Sequence, residues 1–233
     1  MTYAIEARDL YYTYEDGTVA LDHISFRAER GKMTGILGAN GAGKSTLFLN
    51  LNGVLTPAGG EVRVDGVPVT YDRKGLISVR KQVGIVFQDP DDQLFSADVY
   101  RDISFGGVNL GLPEEEVRRR VDEAMEWTGV THLKGKPTHA LSFGQKKRVA
   151  IAGVLVMEPS VVILDEPTAG LDPQGVSDIM RLLAELRGRL GMTIIIATHD
   201  MDIVPLYCDY AYLLNGGKIA AEGTTEALFS QPE

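Results

Sequence analysis

The sequence predicts an α/β domain with a mostly parallel sheet, preceded by an antiparallel β layer and interrupted by an inserted helical subdomain. Three observations carry this reading. The first 35 residues hold alternating or apolar runs broken at Asp16-Gly17 and Arg30-Gly31, the punctuation of short antiparallel strands. Met33–Leu37 and the β-branched runs at 83–87, 161–164 and 193–198 lack strict alternation, as expected of strands covered on both faces of a parallel sheet. Between the runs at 83–87 and 161–164 lies a long segment without strong strand signals, which is read as helical.

One domain is expected over residues 1–233. Residues 1–88 and 160–233 form its core and β layer, and residues 89–159 the inserted subdomain. After Met33–Leu37 comes a glycine-rich turn and a helix-compatible stretch from Lys44 to Leu51, giving a strand, loop, helix unit. Leu112-Pro113 followed by Glu114, Glu115 and Glu116 places proline and acids in a first helical turn, where the backbone dipole favours them. Val117, Val121, Ala124, Met125 and Thr128 then recur at helical spacing as one apolar stripe. Arg118, Arg119 and Arg120 follow the three glutamates by one turn and are expected to pair with them on a solvated face. Ser142 with Gln145 three positions on is a capping-box pattern that opens another helix.

Composition excludes several function classes. Hydrophobic content of 44% with 24% charged residues is ordinary for globular chains and argues against wholesale disorder. The longest apolar run, residues 149–157, is about half the roughly 18 residues that suggest a membrane helix, so it reads as core. Twenty-three basic against 32 acidic residues gives −9, which disfavours nucleic acid as a partner. Residues 1–7 carry no export pattern, so a reducing compartment is expected, and the single Cys208 is expected to be a passive core residue. The last residues, 231–233, are expected to fray.

The chemistry concentrates at strand ends. Gly38-Ala39-Asn40-Gly41-Ala42-Gly43-Lys44-Ser45 satisfies the phosphate-loop pattern G-x-x-x-x-G-K-[ST] between a strand and a helix. Polyphosphate is a dense multianion, so several backbone N–H groups must approach it, and glycine removes the side chains that would prevent this. Lys44 supplies a point charge to the terminal phosphates, and the Ser45 hydroxyl is expected on Mg²⁺, a small cation that demands oxygen ligands. Residues 161–164 run into Asp165 and Glu166. The carboxyl end of a parallel strand faces the ligand crevice, so Asp165 is expected in the metal shell and Glu166 on the attacking water. His199 follows residues 193–198 at the same edge. From position alone it is open between a satisfied turn histidine and a contact to the γ-phosphate or water. The Ser142 helix start is likewise open between a simple cap and an anion site. His23, His132 and His139 show no metal-ligand spacing and are assigned structural or surface duty.

In this order the residues resemble the ATPase subunit of ATP-binding cassette transporters, over about residues 3 to 230, a P-loop NTPase fold. The resemblance implies ATP and Mg²⁺ as cofactors. It makes Gly38 to Ser45 the Walker A loop, continued by Thr46, with Gly38, Asn40, Gly41 and Gly43 among the ATP-binding residues. It makes Gln88 the Q-loop glutamine, catalytic and metal-binding, and Leu141-Ser142-Phe143-Gly144-Gln145 the signature, with Ser142, Gly144 and Gln145 on nucleotide. Asp165-Glu166 becomes the end of Walker B, Ala169-Gly170-Leu171-Asp172 the D-loop, His199 the switch histidine and Tyr14 the aromatic that stacks on adenine. Phe143 departs from the commonest signature, which has glycine there. The stretch from Val86 to Phe95 is similar to the ATPases of cobalt and nickel importers and of energy-coupling-factor vitamin importers, with cobalt uptake the preferred subtype.

The resemblance further implies a second ATPase subunit, identical or paralogous, bound head to tail, and integral membrane transport subunits on the surface near residues 88–107, where acids are expected to meet basic groups. The chain is then peripheral, on the cytoplasmic face of the cell membrane. Two competing readings are a soluble cassette ATPase acting on nucleic acid or ribosomes, weakened by the acidic balance, and a nucleotide sensor without turnover, disfavoured by the intact Asp165, Glu166 and His199 set.

Overall fold

A computed structural model describes residues 2–230, so the expected fraying at 231–233 lies outside the described residues. In chain order the elements begin with strands β1 (Tyr3–Thr13), β2 (Val19–Glu29) and β3 (Met33–Leu37), then helix α1 (Lys44–Leu51). Strands β4 (Gly59–Val64) and β5 (Val67–Pro68), helix α2 (Arg73–Gln82) and strand β6 (Val83–Val86) follow. Helices α3 (Val99–Asn109), α4 (Glu114–Thr128) and α5 (Phe143–Leu155) lead to β7 (Val161–Asp165), α6 (Pro173–Leu190) and β8 (Thr193–Thr198). Helix α7 (Ile203–Tyr207), strands β9 (Tyr210–Asn215) and β10 (Lys218–Thr224) and helix α8 (Thr225–Phe229) complete the chain.

Two sheets form. The order β2-β1-β4-β5 is antiparallel throughout; the order β10-β9-β3-β8-β7-β6 is parallel from β9 to β6, with β10 antiparallel at one edge. The inner strands of the second sheet are buried on both faces, which explains their unbroken apolar runs. Val162, Leu164, Ile194 and Ile196 pack into a core shared with the helices, whereas Val161, Ile163, Ile195 and Ala197 pack into a second core against the antiparallel layer. The period of two thus assigns neighbouring residues to opposite cores. Because β3, β8, β7 and β6 are adjacent and parallel, the loops leaving their carboxyl ends meet at one edge.

Between β6 and β7 the chain is helical. The α4 stripe Val117, Val121, Ala124, Met125 and Thr128 is buried, and Arg118, Arg119 and Arg120 pair with Glu114 and Glu116, extended to Glu123 and Glu158. The two arginines hold the Glu116 carboxyl down to about 2. Cys208 lies beside Val204 under α7, 6% exposed, and burial pushes its thiol up to about 12. Thiolate is the reactive form, so iodoacetamide at pH 8 is expected to label the native protein at least about 100-fold more slowly than the unfolded chain. Equal labelling rates would place Cys208 at the surface.

Candidate functional site

The carboxyl ends of β3, β6, β7 and β8 deliver the groups of the site. The loop after β3 turns back under glycine control: Gly41 and Gly43 have φ of +79° and +105°, and a Cβ on Gly38 would stand 2.5 Å from the Leu214 carbonyl oxygen of β9. No other residue fits Gly38 without moving that strand. The turn closes with the Ala42 N–H donating to Ala39 O at 3.1 Å, and α1 begins at Lys44, so the helix N-terminus and its free N–H groups point along the loop. From β7 come Asp165 and Glu166, from β8 His199, and from β6 Gln88. The resulting cleft is lined by Tyr14, Gly43, Lys44, Ser45, Gln88 and Glu166 among others.

Its electrostatics are those of a buried cation between carboxylates. Lys44 Nζ donates to Gly38 O at 2.6 Å and lies 3.4 Å from Glu166 Oε1, and both side chains are buried. The Ser45 hydroxyl donates to Asp165 Oδ2 at 2.5 Å; burial raises the Asp165 carboxyl, and the Ser45 bond works against that rise. His199 Nδ1 lies 3.0 Å from Glu166 Oε2, whereas Glu166 Oε1 accepts no hydrogen bond among the described residues. Glu166 also holds φ of +45°, an unusual left-handed backbone for a side chain of this size, which costs on the order of 1 kcal/mol. Its N–H donates to Ala197 O at 3.0 Å, and its carbonyl accepts from the Ala169 N–H at 3.1 Å.

Tyr14 reaches the same cleft from the antiparallel layer. Its hydroxyl pairs with Thr46 Oγ1 at 2.8 Å, and Tyr12 meets its ring edge-on, leaving part of the ring exposed over the loop. The structure therefore brings together Tyr14, the loop from Gly38 to Thr46, Gln88, Asp165, Glu166 and His199. It does not bring Ser142, Gly144 or Gln145 into the cleft. They sit at the start of α5, where Ser142 Oγ accepts from the Gln145 N–H and Gln145 Oε1 accepts from the Ser142 N–H, the expected capping box. Phe143 leaves this cap intact: its ring packs on Gly170, where an added Cβ would come within 3.0 Å of it.

One residue escaped the sequence reading. Lys147 on α5 is 2% exposed, and its Nζ donates to the Gln88 carbonyl at 3.0 Å and the Glu166 carbonyl at 3.2 Å. Burial pulls its ammonium down to about 8, against the upward pull of Asp89, Glu166 and Asp165. A signal was available: Lys146, Lys147 and Arg148 occupy the start of a helix, where the dipole disfavours cations, so another attraction had to hold them there.

This arrangement of phosphate loop, strand-end acids and separate helix cap matches known proteins. The family model described as ABC transporter fits residues 21–169. The chain belongs to the ABC transporter family. An energy-coupling factor transporter ATP-binding protein, EcfA2, of Clostridium perfringens is 59% identical over 231 residues, which span 99% of this chain and 81% of that protein. CbiO1 of the same species, described as part of the ABC transporter complex cbiONQ, superposes with a TM-score of 0.92 at 59% identity, over 99% of this chain and 92% of that one. The dimeric cassette MJ0796, in a post-hydrolysis state bound to ADP and Pi, superposes with a TM-score of 0.85 at 26% identity, over 95% of this chain and 98% of that one. The chain is an ABC ATPase cassette that binds and hydrolyses ATP.

For this cassette, removing the Lys44 ammonium leaves polyphosphate charge uncompensated in the cleft. Charge-assisted hydrogen bonds are worth about 1.5–3 kcal/mol each, so Lys44→Ala is expected to weaken ATP binding roughly tenfold or more. Isothermal titration with ATP checks this, and unchanged affinity would take Lys44 off the phosphates.

Proposed function

We propose that this cassette is the ATP-hydrolysing subunit of an energy-coupling-factor type membrane importer, and that the imported solute is cobalt ion. The names of its relatives support the importer class. The stretch from Val86 to Phe95 supports the cobalt subtype by resemblance. An energy-coupling-factor ATPase for vitamin or nickel uptake is the second reading; the name of the EcfA2 relative supports the energy-coupling-factor class and names no solute.

The observation that carries the chemistry is buried Glu166, whose Oε1 accepts no hydrogen bond among the described residues and is bridged only by Lys44 at 3.4 Å. In the reaction, water attacks the γ-phosphorus, the bond to the β-phosphate oxygen breaks, and the water proton passes to Glu166 Oε1. His199 steadies Glu166 through Oε2. Lys44 leaves its bridge to Glu166 and the Gly38 carbonyl for the phosphate oxygens, which frees Oε1 for the water. Tyr14 stacks on adenine and Thr46 contacts phosphate.

The donor set suits magnesium. The Ser45 hydroxyl, Asp165 carboxylate and Gln88 amide oxygen are few hard oxygens around one cleft, as befits an ion that keeps several waters and phosphate ligands. When bound, the ion offsets negative charge building on the phosphate oxygens.

Ser142, Gly144 and Gln145, remote from their own cleft, are assigned to the nucleotide of a second cassette bound head to tail. A capped helix end with free N–H groups suits that contact. The pair is latched by the γ-phosphate and released on its loss.

On the surface expected to meet the membrane subunits, Asp89, Asp91 and Asp92 are exposed, so an acidic contact there stays open, while some of the acids also have internal partners. Asp91 pairs with Lys146, Asp98 caps α3 and Asp102 accepts from the Phe95 and Ser96 N–H groups, so these acids serve the fold. What lies open beside them is an apolar groove lined by Ile77, Phe87, Phe95, Phe105, Leu110 and Met157, with Phe95 65% exposed. That groove suits the apolar face of a short helix from the membrane subunit. Among the described residues no helix is long and apolar enough to cross a membrane, in keeping with a peripheral subunit.

Two outcomes are expected. Glu166→Gln binds ATP and dimerises while steady-state phosphate release falls about 10²–10⁴-fold, and robust turnover by that variant would remove Glu166 from the role of base. Phe95→Asp leaves ATPase activity of the isolated cassette unchanged but abolishes co-purification with its membrane subunits, and vesicles holding the intact complex take up radioactive cobalt. Retained co-purification would move the docking surface elsewhere, and uptake of a vitamin or nickel without cobalt would favour the second reading.

A further inference from the structure

The backbone of Glu166 is held from the helical side. Its left-handed φ of +45° is not a conformation the residue keeps unaided, and its carbonyl is gripped by two donors: the Ala169 N–H of its own turn and Lys147 Nζ of α5. The same ammonium holds the Gln88 carbonyl, and its neighbour Lys146 holds the Asp91 carboxylate at 2.5 Å. The first turns of α5 thus clamp two loops from different strands. Lys147 also lies 5.2 Å from the centre of the Phe143 ring, which covers it from the side of Gly170. Lys147 is buried and makes no direct ion pair among the described residues, the acids that attract it lying further off, so its placement is costly unless the two carbonyls it meets gain by it.

We infer that Lys147 is a positioning residue for hydrolysis: it fixes the main chain of Glu166 and Gln88 relative to α5, so that the carboxylate meets the attacking water only when α5 is in register with the sheet edge. The inference rests on the role proposed for Glu166. Lys147 touches neither nucleotide nor the reacting atoms, and it acts through the two carbonyls. Since α5 begins at the Ser142 cap, a ligand engaging that cap acts on a helix that is tied, five residues on, to the main-chain carbonyl of Glu166.

The test is steady-state ATP hydrolysis by Lys147→Met, which keeps the length of the side chain and removes both donors, alongside ATP binding by titration and thermal melting. The expected result is a kcat lowered about tenfold to a hundredfold, with KM and ATP affinity within about twofold of the parent, since misplacing a reacting group by about 1 Å costs rates of that order. A parent-like kcat overturns the inference. So does a loss of ATP affinity in step with kcat, which marks Lys147 as a general support of the fold. Should Lys147→Met fail to fold, Lys147→Gln is read by the same split. Glu166→Gln in the same assay separates the two ideas: if it turns over, the proposed base falls and this inference with it, and if it is inactive while Lys147→Met is not, only Lys147 is wrongly assigned.

Discussion

The constraint from which the rest of the molecule follows is the gathering of opposite charges at the dry edge of a parallel sheet. Lys44, Asp165 and Glu166 are all removed from water, and each would be costly alone. Together they are tolerable: Lys44 sits between the Gly38 carbonyl and Glu166, Ser45 donates to Asp165, and His199 meets the second oxygen of Glu166. A polyphosphate entering the cleft competes for the same ammonium and the same hydroxyl. On the proposed reading the site exchanges internal partners for ligand ones, and Glu166 is the group that the exchange sets free.

Strand order makes the gathering possible. Because β3, β8, β7 and β6 are neighbours, residues far apart in sequence (Lys44, Gln88, Glu166 and His199) arrive within one cleft without long side chains. Apart from Gln88 just after β6, the segment between β6 and β7 lines none of that cleft among the described residues, yet α5 is bonded to it through main-chain carbonyls by Lys147. The Ser142 cap at one end of α5 and the apolar groove beside α3 are thereby joined mechanically to the hydrolytic edge.

Much of this was legible in the residues. Strands β3, β6, β7 and β8, the start of α1 at Lys44, the α4 stripe and the Ser142–Gln145 box each obey a local rule of periodicity or capping, and local rules are readable without a partner. Lys44, Ser45, Asp165, Glu166 and the position of His199 were readable because strand ends in a parallel sheet converge, whereas Tyr14, Thr46 and Gln88 came from the family resemblance. Less legible were α2, α3 and α6, although Asp72, Asp98 and Asp172 cap them, because an aspartate before a short polar stretch signals a turn as readily as a helix. The internal duties of Asp91 and Asp102 were hidden for a related reason: acids in a loop look free until the main chain that folds onto them is known. Lys147 was hidden because its partners are carbonyls, which every residue carries and no sequence pattern marks. From position alone His199 could be read either way; the resemblance made it the switch histidine, and in the structure its Nδ1 lies 3.0 Å from Glu166 Oε2.

The measurement that bears most directly on the account is a structure of the cassette with magnesium and a nonhydrolysable ATP analogue. The account predicts the γ-phosphate within hydrogen-bond distance of Lys44, the Lys44–Glu166 bridge opened, and Glu166 Oε1 facing an ordered water in line with the bond to be cut. A Lys44–Glu166 bridge that survives with nucleotide bound, or a nucleotide seated away from the loop at 38–45, would contradict it.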